Sequence, residues 1–410
     1  MSARTVITGL GVVAPNGIGA ATYWANTQKG ANGIRKIDRF DVSKYATQVA
    51  GTVEGFDATE YIDKRLMVQT DNWTWMALAG AKLAMEDAGF DAGSQEPDRM
   101  SVITASSSGG NEFGQREIQS LWAKGPRFVG AYQSIAWFYA ATTGQISIKH
   151  GMKGACGVIV SEQAGGLDAI AAAARQIRRG EVDAVLTGGT EAPVGPYAIT
   201  CQQHNCLMAE GDDPETAYRP FSADAHGYVP GEGGAILLAE GLDQARARGA
   251  EQVYAEVLGH AATQDGTTHT APAADGHHYA RAIQLALADA GVGADEIDVV
   301  FADGFGTPEA DAAEFTALST VFGSRLSSIP VTAPKSMTGR LYAGGSSLDV
   351  ATAALAITDG YIPPTINVGT SAFDLDVVTE GRAQQVDTVL VAARGIGGFN
   401  SAMVLRRVSE

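Results

Sequence analysis

The residue whose setting best suits a catalytic nucleophile is a glutamine, Gln163. An apolar run at 157–160 predicts a short buried strand before it, and apolar residues at helical spacing from 167 to 177 predict a buried helix after it. The first turn of a helix presents unpaired backbone N–H groups that stabilise an anion. A carboxamide has no proton to lose near neutral pH, but its C=O can accept those N–H groups and imitate an acyl carbonyl. We therefore predict that the Gln163 amide occupies the site and does not react. The alternative is that Gln163 is an ordinary buried amide without a chemical role.

Few other residues form a pattern that could bind a metal ion or a cofactor. Cys201, His204 and Cys206 offer three ligands close in sequence, without the second cluster that a structural zinc site needs. Gly9 and Gly11 superficially fit a dinucleotide-binding loop, but no acidic residue follows a second strand at the required distance. We therefore predict no metal and no cofactor of the chain's own, and we interpret the two glycines as close packing at the end of a strand.

The composition is that of a large soluble protein with a substantial core. The 410 residues are 45% hydrophobic and 18% charged. The formal net charge of −17 argues against nucleic acid and anionic membranes as partners. The N-terminal apolar run is broken by glycines and is too short for a signal peptide or a membrane span. We therefore expect a cytoplasmic protein.

Strand-like and helix-like segments alternate along the chain, which predicts an α/β fold with a largely parallel sheet covered by helices. In the first half we predict strands at 5–13, 100–105, 182–187 and 234–238, and helices at 67–88, 112–124 and 135–150. The second half repeats this plan, since its predicted strands at 297–302 and 386–391 correspond to those at 100–105 and 182–187. We predict an internal duplication, with halves at 1–250 and 251–410.

The β-ketoacyl synthase elbow is similar to the stretch Ser161-Glu162-Gln163-Ala164-Gly165-Gly166-Leu167-Asp168-Ala169, with Gln163 at the position of the catalytic cysteine. The form of this stretch resembles one branch of the family, the KSβ subunits or chain length factors of aromatic type II polyketide synthases. The resemblance runs from Val6 to Asn400, essentially the whole chain. It implies a thiolase-like fold, in which duplicated mixed sheets and helices are layered as αβαβα.

Both catalytic histidines of that family are also replaced. Asp303 begins a stretch that resembles the His-Gly-Thr-Gly-Thr motif, and Arg340 ends one that resembles Lys-Ser-Asn-x-Gly-His. Neither side chain reproduces a neutral imidazole donor. Because an unpaired charge at that depth would cost several kcal/mol, we predict that Asp303 and Arg340 form an ion pair. The family pattern also implies a structural ion-pair group of Lys335, Asp311 and Glu314.

The resemblance implies two possible functions. The first is a non-condensing partner that forms a heterodimer with a cysteine-bearing ketosynthase, KSα, and shapes the tunnel in which a poly-β-keto chain grows. The chain would be carried on the phosphopantetheine of an acyl carrier protein. The alternative is an enzyme that decarboxylates malonyl-carrier protein to supply the acetyl starter, with the Gln163 amide and nearby N–H groups holding the thioester oxygen.

Product length is expected to depend on positions that resemble the family's tunnel gates. These positions are Asn111, Gly114, Ile118 and Ile135, none of them aromatic. Protein interiors do not leave such space unfilled. The resemblance therefore implies either a longer tunnel, with a product longer than an octaketide, or neighbouring side chains that fill the space. The neighbouring side chains that could fill the space are Phe113, Tyr132 and Tyr197.

Overall fold

The computed structural model describes residues 3–267 and 271–409. Its strands are β1 (Thr5–Ala14), β2 (Gly17–Ile18), β3 (Ile34–Lys36), β4 (Val49–Gly51), β5 (Met100–Ala105), β6 (Gly157–Ile159), β7 (Ala184–Glu191), β8 (Gly233–Gly241), β9 (Ala255–Gln264), β10 (Val299–Phe301), β11 (Pro330–Thr332), β12 (Tyr361–Ile362), β13 (Asp376–Val377), β14 (Arg382–Ala383), β15 (Thr388–Gly395) and β16 (Phe399–Arg406). Its helices are α1 (Ala20–Gln28), α2 (Lys64–Gln69), α3 (Asn72–Asp87), α4 (Asn111–Lys124), α5 (Gln133–Ala136), α6 (Ala141–His150), α7 (Gly165–Arg178), α8 (Pro196–Gln203), α9 (Leu242–Ala247), α10 (His277–Ala290), α11 (Pro308–Phe322) and α12 (Ala343–Asp359).

The two halves of the chain build two half-sheets of the same design. Strands β6, β5 and β7 are parallel neighbours, followed by the antiparallel strands β8 and β1. Strands β11, β10 and β15 are likewise parallel, followed by the antiparallel strands β16 and β9. This correspondence agrees with the predicted repetition of the strand plan. The prediction of a largely parallel sheet is wrong, because β8, β1, β9 and β16 run antiparallel to their neighbours and the sheet is mixed. A two-residue pairing of β1 with β9, Val6 with Glu256 and Ile7 with Ala255, joins the half-sheets into one path.

Two buried helices, α7 and α12, form the central layer between the half-sheets. Helix α12 is buried from Ala343 to Ile357, and α7 packs against it and against β7. The contact is close because Gly166 has no side chain: a Cβ there would lie 2.4 Å from the backbone nitrogen of Ser347. Helix α3 covers the outer face of one half-sheet and α10 that of the other. The layers therefore follow the predicted αβαβα order.

Gly9 and Gly11 allow helix α3 to lie directly on β1. A Cβ at Gly9 would be 2.1 Å from the carbonyl oxygen of Ala84, and one at Gly11 would be 1.7 Å from that of Gly80. Both glycines lie within the strand, so the prediction of close packing is confirmed, although its place is the middle of β1 and not its end. Their function is helix–sheet packing.

Two predicted helices are each broken in two. The segment predicted as 67–88 divides between α2 and α3 because Thr70 and Asp71 are extended, and the Asp71 carboxylate accepts the N–H of Asn72. The segment predicted as 135–150 divides between α5 and α6, and the carbonyl of Trp137 in the break accepts the N–H of Gly110. The Asp71 carboxylate also accepts the N–H of Phe113 in α4, so at both breaks a contact with a separate segment replaces helical hydrogen bonding.

Strand β6 is half-buried, so the prediction of a buried strand at 157–160 is wrong. It lies at one edge of the sheet, with β5 as its neighbour, and Val160 beyond it is 48% exposed. An edge strand is covered on one side only, which a short apolar run does not reveal.

Within residues 3–267 and 271–409, no helix has the length and apolar character needed to cross a bilayer. Nor do three or more His, Cys, Asp or Glu side chains come together there in a way that could hold a metal ion.

Candidate functional site

Gln163 lies where the sequence predicts it, but its amide is not bound as predicted. It occupies a 3₁₀ turn, Glu162–Ala164, directly before α7, and it is fully buried. Its side chain lies against α12 at Gly345, where a Cβ would come 2.3 Å from the amide nitrogen Nε2. Among the described residues, neither Oε1 nor Nε2 of Gln163 has a hydrogen-bond partner. The prediction that its C=O accepts helix N–H groups is therefore wrong.

Gln163→Met is expected to raise the free energy of unfolding by roughly 1–2 kcal/mol, because it replaces an unpaired buried amide by an apolar side chain of similar shape. Urea denaturation of both proteins measures the difference. Gln202→Met is the matched control and is expected to destabilise, because Gln202 Nε2 donates to the carbonyl of Pro193 at 3.0 Å. Destabilisation by Gln163→Met would contradict the finding that the amide is unpaired.

Asp303 and Arg340 form the predicted ion pair. Nη1 of Arg340 lies 3.1 Å from both carboxylate oxygens of Asp303, and both residues are at most 1% exposed. Nη2 donates to the carbonyl of Arg394 at 2.8 Å, and the guanidinium lies 4.3 Å from the ring centroid of Phe305. Burial is the largest single influence and acts to lower the pKa of Arg340, but Asp303, Tyr218 and Glu162 together raise it by more, so the net pKa is raised.

The predicted ion-pair group of Lys335, Asp311 and Glu314 is not formed as such. Nζ of Lys335 pairs instead with Oδ2 of Asp349 at 2.9 Å. The carboxylate of Glu314 accepts the N–H groups of Asp303 and Gly304, each at 2.8 Å.

Asp311 has a similar role: its carboxylate accepts the N–H groups of Gly306 and Phe221 at 2.9 and 2.8 Å. The physical reason is that the loop after β10 leaves backbone donors unpaired, and the first turns of α11 supply acceptors for them. Burial raises the pKa of Asp311 to about 7.

A cavity of about 400 Å³ lies beside α4 and α8. It is lined by Ser107, Ser108, Asn111, Gly114, Gln115, Ile118, Trp137, Tyr139, Glu162, Pro193, Tyr197, Ala198, Cys201, Gln202, Asn205, Tyr342 and Ile396. Three of the four expected tunnel positions, Asn111, Gly114 and Ile118, line it. Ile135 does not, because the break between α5 and α6 presents Trp137 and Tyr139 to the cavity instead.

The space that Gly114 leaves is occupied by an aromatic side chain. A Cβ at Gly114 would lie 3.0 Å from Cδ1 of Trp137. Of the considered neighbours, Tyr197 lines the cavity, whereas Phe113 and Tyr132 do not. Sequence reasoning missed Trp137 because it assigned that residue to a continuous helix. The run Trp137-Phe138-Tyr139, three bulky aromatics in succession, was the available signal.

Two buried carboxylates hold the wall of the cavity. Glu191 accepts the N–H of Ser107 and, at 3.1 Å, that of Ser108. Asp71 accepts the N–H of Phe113 in the first turn of α4 at 2.7 Å. Burial raises the pKa of Glu191 to about 7 and that of Asp71 to about 6. Both groups therefore titrate in the folded protein well above the unfolded range for carboxyl groups.

These raised values predict that the protein loses stability as the pH rises from 5 to 8. A carboxyl group with a raised folded pKa binds more protons when folded, so its stabilisation is present below the unfolded pKa and is lost through the folded pKa. Glu191→Gln is expected to reduce this loss by roughly 1–3 kcal/mol. Urea denaturation across this pH range measures it, with exposed Glu210→Gln as the control; equal slopes in both variants would contradict the prediction.

The inner end of the cavity carries Glu162 and a hydrogen-bonded set of neutral groups. Oε2 of Glu162 accepts the N–H of Ile396 at 2.8 Å. The hydroxyl of Tyr342 donates to Oε1 of Gln202 and lies 3.3 Å from that of Tyr228. Burial raises the pKa of Glu162, although the positive charge of Arg340 acts in the opposite direction.

Exposed aromatic and aliphatic side chains occur between residues 118 and 139 and at Tyr197; four of them line the cavity, and we call the whole set the rim. Trp122 is 82% exposed, Phe138 61% and Trp137 48%. The other members are Ile118, Phe128, Tyr132, Ile135, Tyr139 and Tyr197. Exposed apolar surface of this extent is typical of a protein–protein interface.

Comparison with known proteins gives a consistent result over the whole chain. Residues 2–244 match the family model of the β-ketoacyl synthase N-terminal domain, and residues 254–369 match that of the C-terminal domain. The chain is 52% identical over 408 residues to the tetracenomycin polyketide synthase ketoacyl synthase beta subunit of Streptomyces glaucescens. This alignment covers 99% of the chain and 98% of the relative.

Solved structures of ketosynthases have the same fold as this chain. The ishigamide ketosynthase/chain length factor superimposes with a TM-score of 0.93 at 30% identity, covering 100% of both chains. A type II polyketide synthase acyl-carrier protein in complex with its ketosynthase bound to the hexaketide gives a TM-score of 0.90 at 29% identity, again covering 100% of both chains.

Proposed function

This chain belongs to the β-ketoacyl synthase family, among the ketosynthase beta subunits of type II polyketide synthases, and we propose from that premise that it shapes the elongation tunnel of a ketosynthase heterodimer. Its partner is a KSα subunit that supplies the catalytic cysteine. The growing poly-β-ketone is carried on the phosphopantetheine of an acyl carrier protein. The solved complex of a related ketosynthase with its carrier protein supports this assignment of partners.

One observation carries the proposal: the substrate-sized cavity is separate from the former catalytic centre. Gln163, Asp303 and Arg340 are at most 1% exposed, and none of them lines the cavity. The cavity instead lies among the rim residues at the surface. This placement supports entry of the acyl chain from a neighbouring subunit that holds the nucleophile. This arrangement suits a subunit that measures the chain and does not condense it.

The alternative, decarboxylation of malonyl-carrier protein through Gln163, has less support. An oxyanion donor must reach the thioester oxygen at hydrogen-bond distance, and the Gln163 amide is enclosed against α12. The purified subunit, incubated alone with malonyl-carrier protein, is therefore expected to release no more carbon dioxide than its Gln163→Met variant. Release by the native subunit that the variant lacks would favour the alternative.

The edge strand β6 offers the partner a second point of attachment. Its outer side has backbone N–H and C=O groups that no described strand pairs, and such edges accept a strand from another chain. It is followed by the exposed Val160. We propose that KSα pairs with this edge while it covers the rim.

Coexpression with a tagged KSα from a type II polyketide synthase tests the proposed partnership. Copurification in equal amounts, and polyketide formation when carrier protein and malonyl groups are added, are the expected results. The subunit alone is expected to form no polyketide. A stable, active homodimer of this chain would overturn the proposal.

Trp137→Ala is expected to lengthen the product by at least one acetate unit, because it removes the indole that fills the space beside Gly114. Ile118→Phe is expected to shorten it. Mass spectrometry of the products of each heterodimer measures both effects, with Leu285→Ala as the control, since Leu285 is exposed on α10 and belongs to neither the cavity lining nor the rim. The same measurement on the native heterodimer tests the prediction of a product longer than an octaketide. Unchanged length in an assembled Trp137→Ala heterodimer would place the gate elsewhere.

A further inference from the structure

One charged side chain faces the cavity, and it is not at a position of the family's catalytic residues. Glu162 is the only Asp, Glu, Lys or Arg among the described cavity-lining residues. Its backbone has a left-handed φ of 50°, a conformation that costs energy for a residue with a side chain and that concentrates at functional positions. The N–H of Ile396 fixes its Oε2.

The nearest buried cation is already neutralised. Arg340 is bound to the carboxylate of Asp303 and to the carbonyl of Arg394, and its face lies over the ring of Phe305. Arg340 is not among the residues that line the cavity. Glu162 is therefore the one charged side chain that the described lining presents to an occupant of the cavity.

The remaining lining is neutral and suits a chain of alternating carbonyl and methylene groups. Amide side chains provide donors and acceptors, and aromatic side chains provide apolar walls. The amides are Asn111, Gln115, Gln202 and Asn205, and the aromatics are Trp137, Tyr139, Tyr197 and Tyr342. A neutral keto or enol group at the end of the chain can form hydrogen bonds with these amides, and the charge of Glu162 does not repel it.

We propose that Glu162 is a specificity-determining residue that excludes acyl chains ending in a carboxylate from this cavity and admits chains with neutral ends. The identity of the occupant as a growing acyl chain rests on the proposed function. The physical basis is like-charge repulsion in a partly enclosed site, where two carboxylates cannot both be accommodated in ionised form without cost.

Cysteine alkylation tests the electrostatic part on the isolated subunit. Cys201 lines the cavity, whereas Cys156 is exposed outside it. Iodoacetate is anionic and iodoacetamide is neutral. The rate of alkylation by iodoacetate divided by the rate with iodoacetamide is therefore lower at a cysteine in a negatively charged site. We normalise this ratio at Cys201 to the same ratio at Cys156. We expect this ratio to be depressed on the order of tenfold in the native protein, restored in Glu162→Gln, and still depressed in Glu162→Asp and in exposed Glu210→Gln. Equal ratios at the two cysteines of the native protein would overturn the proposal without any variant.

Primer selection tests the functional part in the heterodimer. Pentanoyl-carrier and glutaryl-carrier protein have five-carbon acyl groups that differ in the terminal carboxylate. The native heterodimer is expected to use pentanoyl at least tenfold better, and Glu162→Gln to reduce that preference, while Glu210→Gln leaves it unchanged. An unchanged preference in Glu162→Gln would overturn the proposal. Failure of the proposed function is recognised separately, because the native heterodimer would then make no polyketide from an acetyl primer, and the alkylation result would still stand.

Discussion

Replacing Arg340 by methionine is expected to lower the free energy of unfolding by about 3–5 kcal/mol, because it leaves the Asp303 carboxylate buried without its counter-charge. Both side chains are at most 1% exposed, so water cannot replace the guanidinium. The carbonyl of Arg394 also loses a donor. Arg340→His is expected to destabilise for the same reason. Urea denaturation at neutral pH measures each difference.

The double variant Arg340→Met with Asp303→Asn separates loss of the ion pair from loss of packing. Removing both charges is expected to be less damaging than Arg340→Met alone, since no uncompensated charge remains. Arg406→Met is the matched control, because Arg406 pairs with Glu296 at the surface and such pairs contribute about 0–1 kcal/mol. If Arg340→Met costs no more than this control, the buried pair is not an important source of stability.

The second large effect is expected at the rim. Trp122→Glu combined with Phe138→Glu should weaken the heterodimer at least 100-fold, since large aromatic side chains at an interface centre commonly contribute 2 kcal/mol or more each. Both residues are strongly exposed in the subunit alone, so its own stability should change little. Binding to immobilised KSα measures the affinity.

Leu285→Glu is the control for this pair. Leu285 is an exposed apolar residue of α10, which covers the other half-sheet. The same kind of charge substitution there should leave the heterodimer intact. Equal binding by the rim variant and this control would show that KSα contacts a different surface.

The parts of the fold that could be predicted are those that local pattern controls. The repeated strand plan is visible because strands such as β5 and β10 are short apolar runs of similar form, and parallel neighbours follow from alternation with helices. The ion pair of Asp303 and Arg340 was predictable for another reason: the family resemblance implies that these two positions meet, and they carry opposite charges. Neither inference required the side-chain packing of this chain.

The parts that could not be predicted depend on contacts between distant segments. Whether the Gln163 amide meets a donor depends on Gly345, far along the chain, whose missing side chain lets the amide lie against α12. Lys335 pairs with Asp349 because the first turns of α11 are occupied by backbone donors. The place of Trp137 depends on a helix break at 137–140, and these four residues include neither Pro nor Gly.

The central position of β1 has a consequence for biosynthesis. This strand is made before its partner β8, which lies about 230 residues further along the chain, and β9 follows later still. At about 5–20 residues per second, β1 remains unpaired for roughly 10–50 s during translation. Its sequence is almost wholly apolar, and unpaired segments of this kind aggregate. Recovery of native subunit should therefore depend on chaperones that shield β1 during translation, and refolding from denaturant should be slow because most contacts of β1 are distant in sequence.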